Sequence, residues 1–179
     1  MKKLVLIFGI IAGLISGGMF FVLHPEDGQM DFSKGAVYGY LTMAIALSTI
    51  FFAVKQYRDK YNDGVINFGK SFLIGLYITL IAGAIYVLCW EIYYTNYASD
   101  FGEQYVTYLE SELISQGVSA DKRAEELSST RDMMESYSNS RLMRMGLTLM
   151  EIVPVGLLIS LISALIFGKL LKKKEPLIA

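Results

Sequence analysis

The sequence predicts an all-α membrane protein: a bundle of four transmembrane helices with an extracytoplasmic helical hairpin between helices 3 and 4. Three observations predict it. Four long runs lack charged residues, Lys and Arg are concentrated in alternate connections, and 54% of the 179 residues are hydrophobic. The mean hydropathy is +0.44. We expect residues 1–179 to form a single membrane domain.

Each uncharged run has about the length that a helix needs to cross a bilayer, roughly 20 residues. The runs cover residues 4–23, 35–54, 71–90 and 152–168. The fourth becomes 146–168 if Glu151 is accepted within the helix. A cleaved signal peptide is the alternative for the first run, because Lys2 and Lys3 precede it. Its length and the lack of an Ala-x-Ala site favour a span.

Lys and Arg predict the orientation, because cytoplasmic connections retain them in excess. The N-terminus, residues 55–70 and residues 169–175 hold ten of them against three carboxylates, a net charge of +7. The other connections, together with Glu151, hold six against fourteen, a net charge of −8. Both termini are therefore expected in the cytoplasm. Lys172–Lys174 belongs to this signal, with contact to anionic lipid as a secondary role.

Residues 98–141 are too polar to cross a membrane, but their apolar residues recur at helical spacing. Asp100 with Glu103 predicts a capping box, and Gly117 followed by Ser119 predicts the turn between two helical arms. The apolar positions are Phe101, Tyr105, Tyr108, Leu109 and Leu113, then Ala120, Ala124, Leu127, Met134 and Tyr137. Their partner is the other arm, the headgroup region or another protein. We expect the arms to pack on each other.

Small residues recur every four positions in all four predicted spans. They are Gly9, Gly13 and Gly17; Gly35 and Gly39; Ser71, Gly75, Thr79 and Gly83; and Gly156, Ser160, Ala164 and Gly168. Helices in lipid associate through such residues, because these allow close backbone approach. We expect contacts within one compact bundle, and a homo-oligomer is the alternative.

The second and third spans begin alike. Phe32-Ser-Lys34-Gly35 and Phe68-Gly-Lys70-Ser71 are each followed by a glycine four residues later. The two predicted spans run in opposite directions, so an inverted repeat of the transporter type is one interpretation. The shared requirements of a helix N-terminus are the other, which we favour.

Glu151 is the main polar candidate for function, together with Pro154 and Arg144. A carboxyl group within a span is costly and by default marks a proton, ion or substrate site. Pro154 lacks an amide donor and opposes the carbonyl of Met150, so a kink or a free carbonyl is expected there. Alternatively, Glu151 lies near the outer interface and is hydrated or paired with Arg144 or Arg141. We favour this second interpretation.

The remaining residues predict no catalytic residue, no cofactor and no metal. The chain has one histidine and one cysteine, and it lacks phosphate-loop, nucleophile-elbow and zinc-protease motifs. The segment His24-Pro25-Glu26-Asp27 suggests a metal-binding turn, but Pro after His is more simply a helix stop. A net charge of −1 provides no basic field for nucleic acid.

Particular stretches also resemble a known family. They are the Lys2-Lys3 start before a Gly-rich span, Tyr57 to Lys60 leading to Gly64-x-Ile66-x-Phe68-Gly69-x-x-Phe72-x-x-Gly75, and Ser115-Gln-Gly117-x-Ser119. Together they resemble the uncharacterised bacterial membrane family known as domain of unknown function 4199, over nearly the whole chain. The resemblance implies four helices in the inner membrane of Gram-negative bacteria. It implies no activity and no catalytic residues.

Three functional classes remain. We favour a non-enzymatic scaffold or accessory subunit whose acidic hairpin contacts a membrane or periplasmic protein, or the membrane surface. The alternative is a small oligomeric transporter or channel component that uses Glu151 beside Pro154. An enzyme has the least support, because no set of nucleophile and base is recognisable.

Overall fold

The computed structural model describes residues 1–25 and 28–170. Two features of the sequence, Glu26-Asp27 of the candidate metal-binding turn and the Lys172–Lys174 cluster, lie outside the described residues. The helices are α1 (Lys2–Val22), α2 (Phe32–Leu47), α3 (Thr49–Tyr61), α4 (Phe68–Tyr97), α5 (Phe101–Ser115), α6 (Ala120–Asn139) and α7 (Arg141–Leu165), followed by a π-helical turn, Ile166–Leu170. Within the described ranges there is no strand, and the all-α prediction is confirmed.

Four helical segments are long and apolar enough to cross a membrane, as predicted. They are Lys2–Val22, Phe32–Tyr61, Phe68–Tyr97 and Arg141–Gly168. The last three extend furthest beyond the uncharged runs, because Lys55, Lys70, Glu91 and Arg144 lie inside helices rather than in connections. α4 packs against both α1 and α7, and α2 packs against the same two helices, which gives a four-helix bundle.

The second span consists of two helices that meet at Ser48. The hydroxyl of Ser48 donates to the carbonyl of Ile45 at 2.6 Å, and that of Thr49 donates to the carbonyl of Ala46 at 2.7 Å. Such side-chain bonds compete with the regular helical ladder and favour a bend. Beyond the break, Ile50 and Val54 of α3 are fully buried in the bundle core.

The first half of α2 is largely exposed, which overturns one expectation about packing. Burial in α2 is confined to Met43, Ala46 and Leu47 at its C-terminal end. A Cβ atom added at Gly35 or Gly39 would meet nothing within 4 Å. The expectation that these two glycines form a contact within the bundle is therefore wrong, because α2 packs against the other membrane-spanning helices only in its second half.

The similar starts of the second and third spans have a local cause. Asp31 precedes α2, and its Oδ1 accepts a hydrogen bond from the amide of Lys34 at 3.0 Å. Asn67 precedes α4, and its Oδ1 accepts from the amide of Lys70 at 2.8 Å. Both are ordinary N-caps. Capping accounts for the polar residue that precedes each helix, in line with the interpretation that we favour, and the inverted repeat stays an interpretation.

α5 and α6 are joined at a glycine turn and pack on each other. Gly117 has a φ of 70°, and the amide of Val118 donates to the carbonyl of Leu113 at 3.1 Å, which is a glycine C-cap of the predicted kind. Val106, Leu113 and Leu127 form the buried centre of this α5–α6 pair (residues 101–139).

Three details of the pair differ from expectation. The capping box is absent, because Asp100 Oδ2 instead accepts from Gln104 Nε2 at 2.9 Å and no side chain caps α5. Ser119 does occupy the N-cap position of α6, but its side chain makes no capping hydrogen bond. Ala120 and Ala124 are exposed, so the apolar face of α6 begins only at Leu127. The contact between the arms is therefore made through Leu113, Val118 and Leu127 and does not include Ala120 or Ala124.

Candidate functional site

Small residues bring α4 into close contact with helices on two sides. Along α1, Cβ atoms added at Gly9, Gly13 and Gly17 would lie 2.7, 2.7 and 2.6 Å from the Cβ atoms of Ile81, Ile85 and Cys89. Each step of four residues on α1 is matched by a step of four on α4 in the same direction. The two helices are therefore parallel and in register.

The contact between α4 and α7 follows the opposite direction. Gly75 lies against Ser160, Gly156 against Thr79, and Gly83 against Leu149 and Ile152. Each forward step of four residues on α4 matches a backward step of four on α7, so these helices are antiparallel. The six glycines that we singled out for helix packing, Gly9, Gly13, Gly17, Gly75, Gly83 and Gly156, all lie at these two contacts.

The same register places Glu91 opposite Arg144, two turns beyond Gly83 and Ile152. Arg144 Nε donates to Glu91 Oε1 at 2.6 Å, and Arg144 Nη2 donates to Oε2 at 3.0 Å. The two side chains are 7% (Arg144) and 10% (Glu91) exposed. This is a buried two-pronged ion pair, the strongest geometry available to an arginine and a carboxylate.

Aromatic and backbone groups complete the site. The guanidinium carbon of Arg144 lies 4.1 Å from the centroid of the Tyr94 ring, and its Nη1 donates to the carbonyl of Tyr137 at 3.1 Å. Trp90 Nε1 donates to the Tyr137 hydroxyl at 2.6 Å. Burial raises the pKa of the Tyr137 hydroxyl, so it remains protonated at physiological pH. We call Trp90, Glu91, Tyr94, Tyr137 and Arg144 the junction cluster.

The junction cluster fastens the end of α6 to the bundle. Tyr137 belongs to α6, Arg144 to α7, and the other three members to α4. Trp90 and Tyr94 are buried, and they pack with Tyr137 in one core cluster. Their contacts are with the protein itself more than with surrounding headgroups.

A second attachment holds α5. Phe32 at the start of α2 packs against three α5 rings, those of Phe101, Tyr105 and Tyr108, with centroid distances of 5.3 to 5.4 Å. Gln104 Oε1 accepts from the amide of Met30 at 2.9 Å, and its Nε2 donates to the carbonyl of Gly28 at 3.0 Å. The α5–α6 pair is therefore fixed to the bundle at both arms.

Glu151 lies apart from this cluster. Its Oε2 accepts from the hydroxyl of Tyr86 at 3.0 Å, and its side chain is exposed on the bundle surface. Tyr86 precedes Glu91 by five residues, which places it about 7.5 Å further along α4 into the apolar span. Pro154 follows on the same helix, and α7 continues through it.

The expected pairing of Glu151 with an arginine is not observed. Arg144 and Arg141 both contact Glu91 instead, Arg141 with Nε 3.1 Å from Oε2. Arg144 precedes Glu151 by seven residues on one helix, roughly 10 Å along its axis. The antiparallel neighbour brings Glu91 much closer. Of the three predicted site residues, Glu151 and Pro154 are near each other and Arg144 belongs elsewhere.

Sequence reasoning missed Glu91 and Tyr86. Glu91 was counted as a charge of the connection that follows the third span, although α4 continues to Tyr97. A signal was present: Arg141 and Arg144 lie just before the predicted fourth span, and Glu91 lies just after the third. Consecutive antiparallel spans bring those ends together. In the part of the chain that the structure describes, no group of three His, Cys, Asp or Glu side chains is arranged to hold a metal ion.

A family model described as Protein of unknown function (DUF4199) matches residues 7–169. The chain belongs to this family. The resemblance noted in the sequence is thereby confirmed for most of the chain. Comparisons with curated proteins and with solved structures find no match. The family description assigns no activity to this DUF4199 member.

Proposed function

We propose that the chain is a non-enzymatic scaffold or accessory subunit of the bacterial inner membrane. Both termini are cytoplasmic in this proposal, the α5–α6 pair lies on the outer side, and its acidic surface binds a membrane or periplasmic protein. The orientation rests on the excess of Lys and Arg in the N-terminus and residues 55–70. The junction cluster is the observation that carries the proposal.

Rigid attachment of the α5–α6 pair to the bundle suits a binding role. Glu91 and Arg144 fix α6, and the contacts of Phe32 and Gln104 fix α5. A surface that is already ordered loses less conformational entropy when it binds a partner. The ion pair is buried at a cost in desolvation, and positional specificity is a recognised use of such pairs.

The surface of the pair supplies the charge for this role. Val106, Leu113 and Leu127 are used for packing between the arms, so charged side chains remain outside. Residues 98–141 hold nine carboxylates against four Lys and Arg residues. Such a surface favours a partner with a basic patch and speeds the encounter with it.

The test uses charge reversal on the exposed face of α6. The protein is cross-linked in native membranes and purified, and its mass is compared with the 20.0 kDa of one chain. We expect a stoichiometric second protein that is lost in the double variant Glu125→Lys, Glu126→Lys. A second double variant, Glu103→Lys with Glu110→Lys, reverses two charges on α5 and tests whether that arm contributes to the same acidic surface. Masses at whole multiples of the chain alone, unchanged by either variant, would contradict the proposal.

A second candidate is transport, and the environment of Glu151 favours it. Glu151 forms no ion pair with any described residue and is bonded only to the neutral hydroxyl of Tyr86. An uncompensated carboxyl group in a span is a candidate carrier of a proton or cation. In liposomes, a pH-dependent flux that is lost in Glu151→Gln but kept in Glu103→Gln would favour transport. If the chain is an accessory subunit, neither variant should change the passive ion flux across the liposome membrane.

A further inference from the structure

A groove opens between α1 and α3 at the end of the bundle opposite the α5–α6 pair. Its lining residues are Phe8 of α1 and Phe52, Lys55, Gln56, Asp59 and Lys60 of α3, and its volume is about 490 Å³. The groove is open along the bundle surface, so in a membrane it faces the lipid and the headgroup layer.

Two lysines of the groove form no ion pair with a carboxylate of the described residues. Residues 55–70 contain four cations. Arg58 Nε contacts Asp59 Oδ1 at 2.7 Å, and the ammonium of Lys70 lies 5.3 Å from the ring centroid of Tyr57. Lys55 and Lys60 are exposed, and neither has a carboxylate within 4 Å among the residues described. Because Arg58 neutralises Asp59, the groove has a net positive charge.

The apolar and cationic residues are ordered along the membrane normal. Phe52 is 66% exposed and belongs to a membrane-spanning segment, so its ring faces the lipid. Lys55 and Lys60 follow it by about 4.5 and 12 Å along the helix axis, towards the end of the span. An acyl chain beside Phe52 and Phe8 would therefore continue into a phosphate beside the two ammonium groups.

We infer that this groove binds one anionic phospholipid of the leaflet on the side of the N-terminus. Its phosphodiester lies between Lys55 and Lys60, within reach of the Gln56 amide, and an acyl chain lies along Phe8 and Phe52. Basic pockets between membrane helices are typical sites for anionic headgroups. An isolated lysine at the end of a span is explained by membrane topology alone, whereas here two lysines without an ion pair to any described residue flank an aromatic groove between helices. The inference does not depend on the accessory role.

Lipid titration of the whole protein in detergent, followed by native mass spectrometry, measures the site directly. We expect phosphatidylglycerol to bind more tightly than phosphatidylcholine of the same chain length. The double variant Lys55→Gln, Lys60→Gln should weaken phosphatidylglycerol binding by about 25-fold, roughly fivefold per lysine, and leave phosphatidylcholine unchanged. Lys122→Gln, an exposed lysine of α6, is the matched control and should change neither affinity.

A further variant separates a lipid from a soluble anion. Phe52→Asn should weaken phosphatidylglycerol binding while circular dichroism shows unchanged helical content, because Phe52 is mostly exposed. Free glycerol phosphate should fail to displace the lipid. Unchanged binding in the double lysine variant, equal affinity for the two lipids, or displacement by glycerol phosphate at lipid-like concentrations would each overturn the inference.

Discussion

Gly13→Ala tests the contact between α1 and α4, and Gly18→Ala is its control on the same helix. A Cβ atom at Gly13 would lie 2.7 Å from Ile85 Cβ and 3.1 Å from both Cα and the carbonyl oxygen of Ala82. At Gly18 the same atom would meet nothing within 4 Å. The two substitutions add the same methyl group five residues apart, and only one of them meets another helix.

The expected magnitude follows from these distances. Non-bonded carbon atoms prefer a separation of about 3.5–4.0 Å, so α1 must move away from α4 by roughly 1 Å. A gap of that size loses about a quarter to a half of each affected dispersion contact. Forcing an extra methyl group into a packed site typically costs about 1–3 kcal/mol. Backbone atoms of Ala82 cannot rotate away, unlike a flexible side chain.

Alanine also has a higher helix propensity than glycine, by about 1 kcal/mol, in either variant. This gain cancels in the comparison, so Gly13→Ala should be less stable than Gly18→Ala by about 1–3 kcal/mol. The assay is reversible unfolding in mixed micelles with increasing sodium dodecyl sulfate, followed by circular dichroism. Equal free energies of unfolding for the two variants would refute the close contact at Gly13.

Two further predictions concern the junction cluster and the orientation. Arg144→Met leaves the buried Glu91 with only Arg141, whose side chain is 73% exposed, as a partner. Loss of the buried partner should cost up to about 3–5 kcal/mol, so amides of α6 should exchange hydrogen faster. Arg141→Met removes only the exposed partner and should cost less than about 1 kcal/mol. Equal effects of the two substitutions would contradict the assignment of Arg144 as the main partner. A reporter that is active only outside the cytoplasm should be active when fused after Gly117 and silent when fused after Ala179. The reverse result would contradict the orientation. Activity at both sites would contradict the number of four spans.

The four spans were predictable from sequence because burial in lipid requires long uncharged runs, and such runs are visible in one dimension. Their ends were not. Lys70 and Arg144 interrupt hydropathy without interrupting the helix, since the backbone bonds of α4 and α7 continue past them. Charged residues at the end of a span are satisfied by partners, and hydropathy contains no information about partners.

The contacts of small residues show the same limit. Gly9 and Gly35 have equivalent patterns, yet only Gly9 has another helix against it. Whether a row of small residues packs against another helix depends on where that helix lies, and the spacing of the residues alone does not specify this. The ion pair of Glu91 likewise follows from the antiparallel register of α4 and α7. That register can be determined only from contacts between the two helices, such as those of Gly75 and Gly83.

Trp90 gives the protein a built-in optical probe. It is the only tryptophan in the chain, and its indole donates to Tyr137 at the point where α6 joins α4. Indole fluorescence depends on the polarity and hydrogen bonding around the ring. The tryptophan emission spectrum of the unlabelled protein therefore reports on this one location, the contact between α6 and α4. Detachment of α6, caused by a partner, a variant or a detergent, is then visible as a shift in emission wavelength in real time.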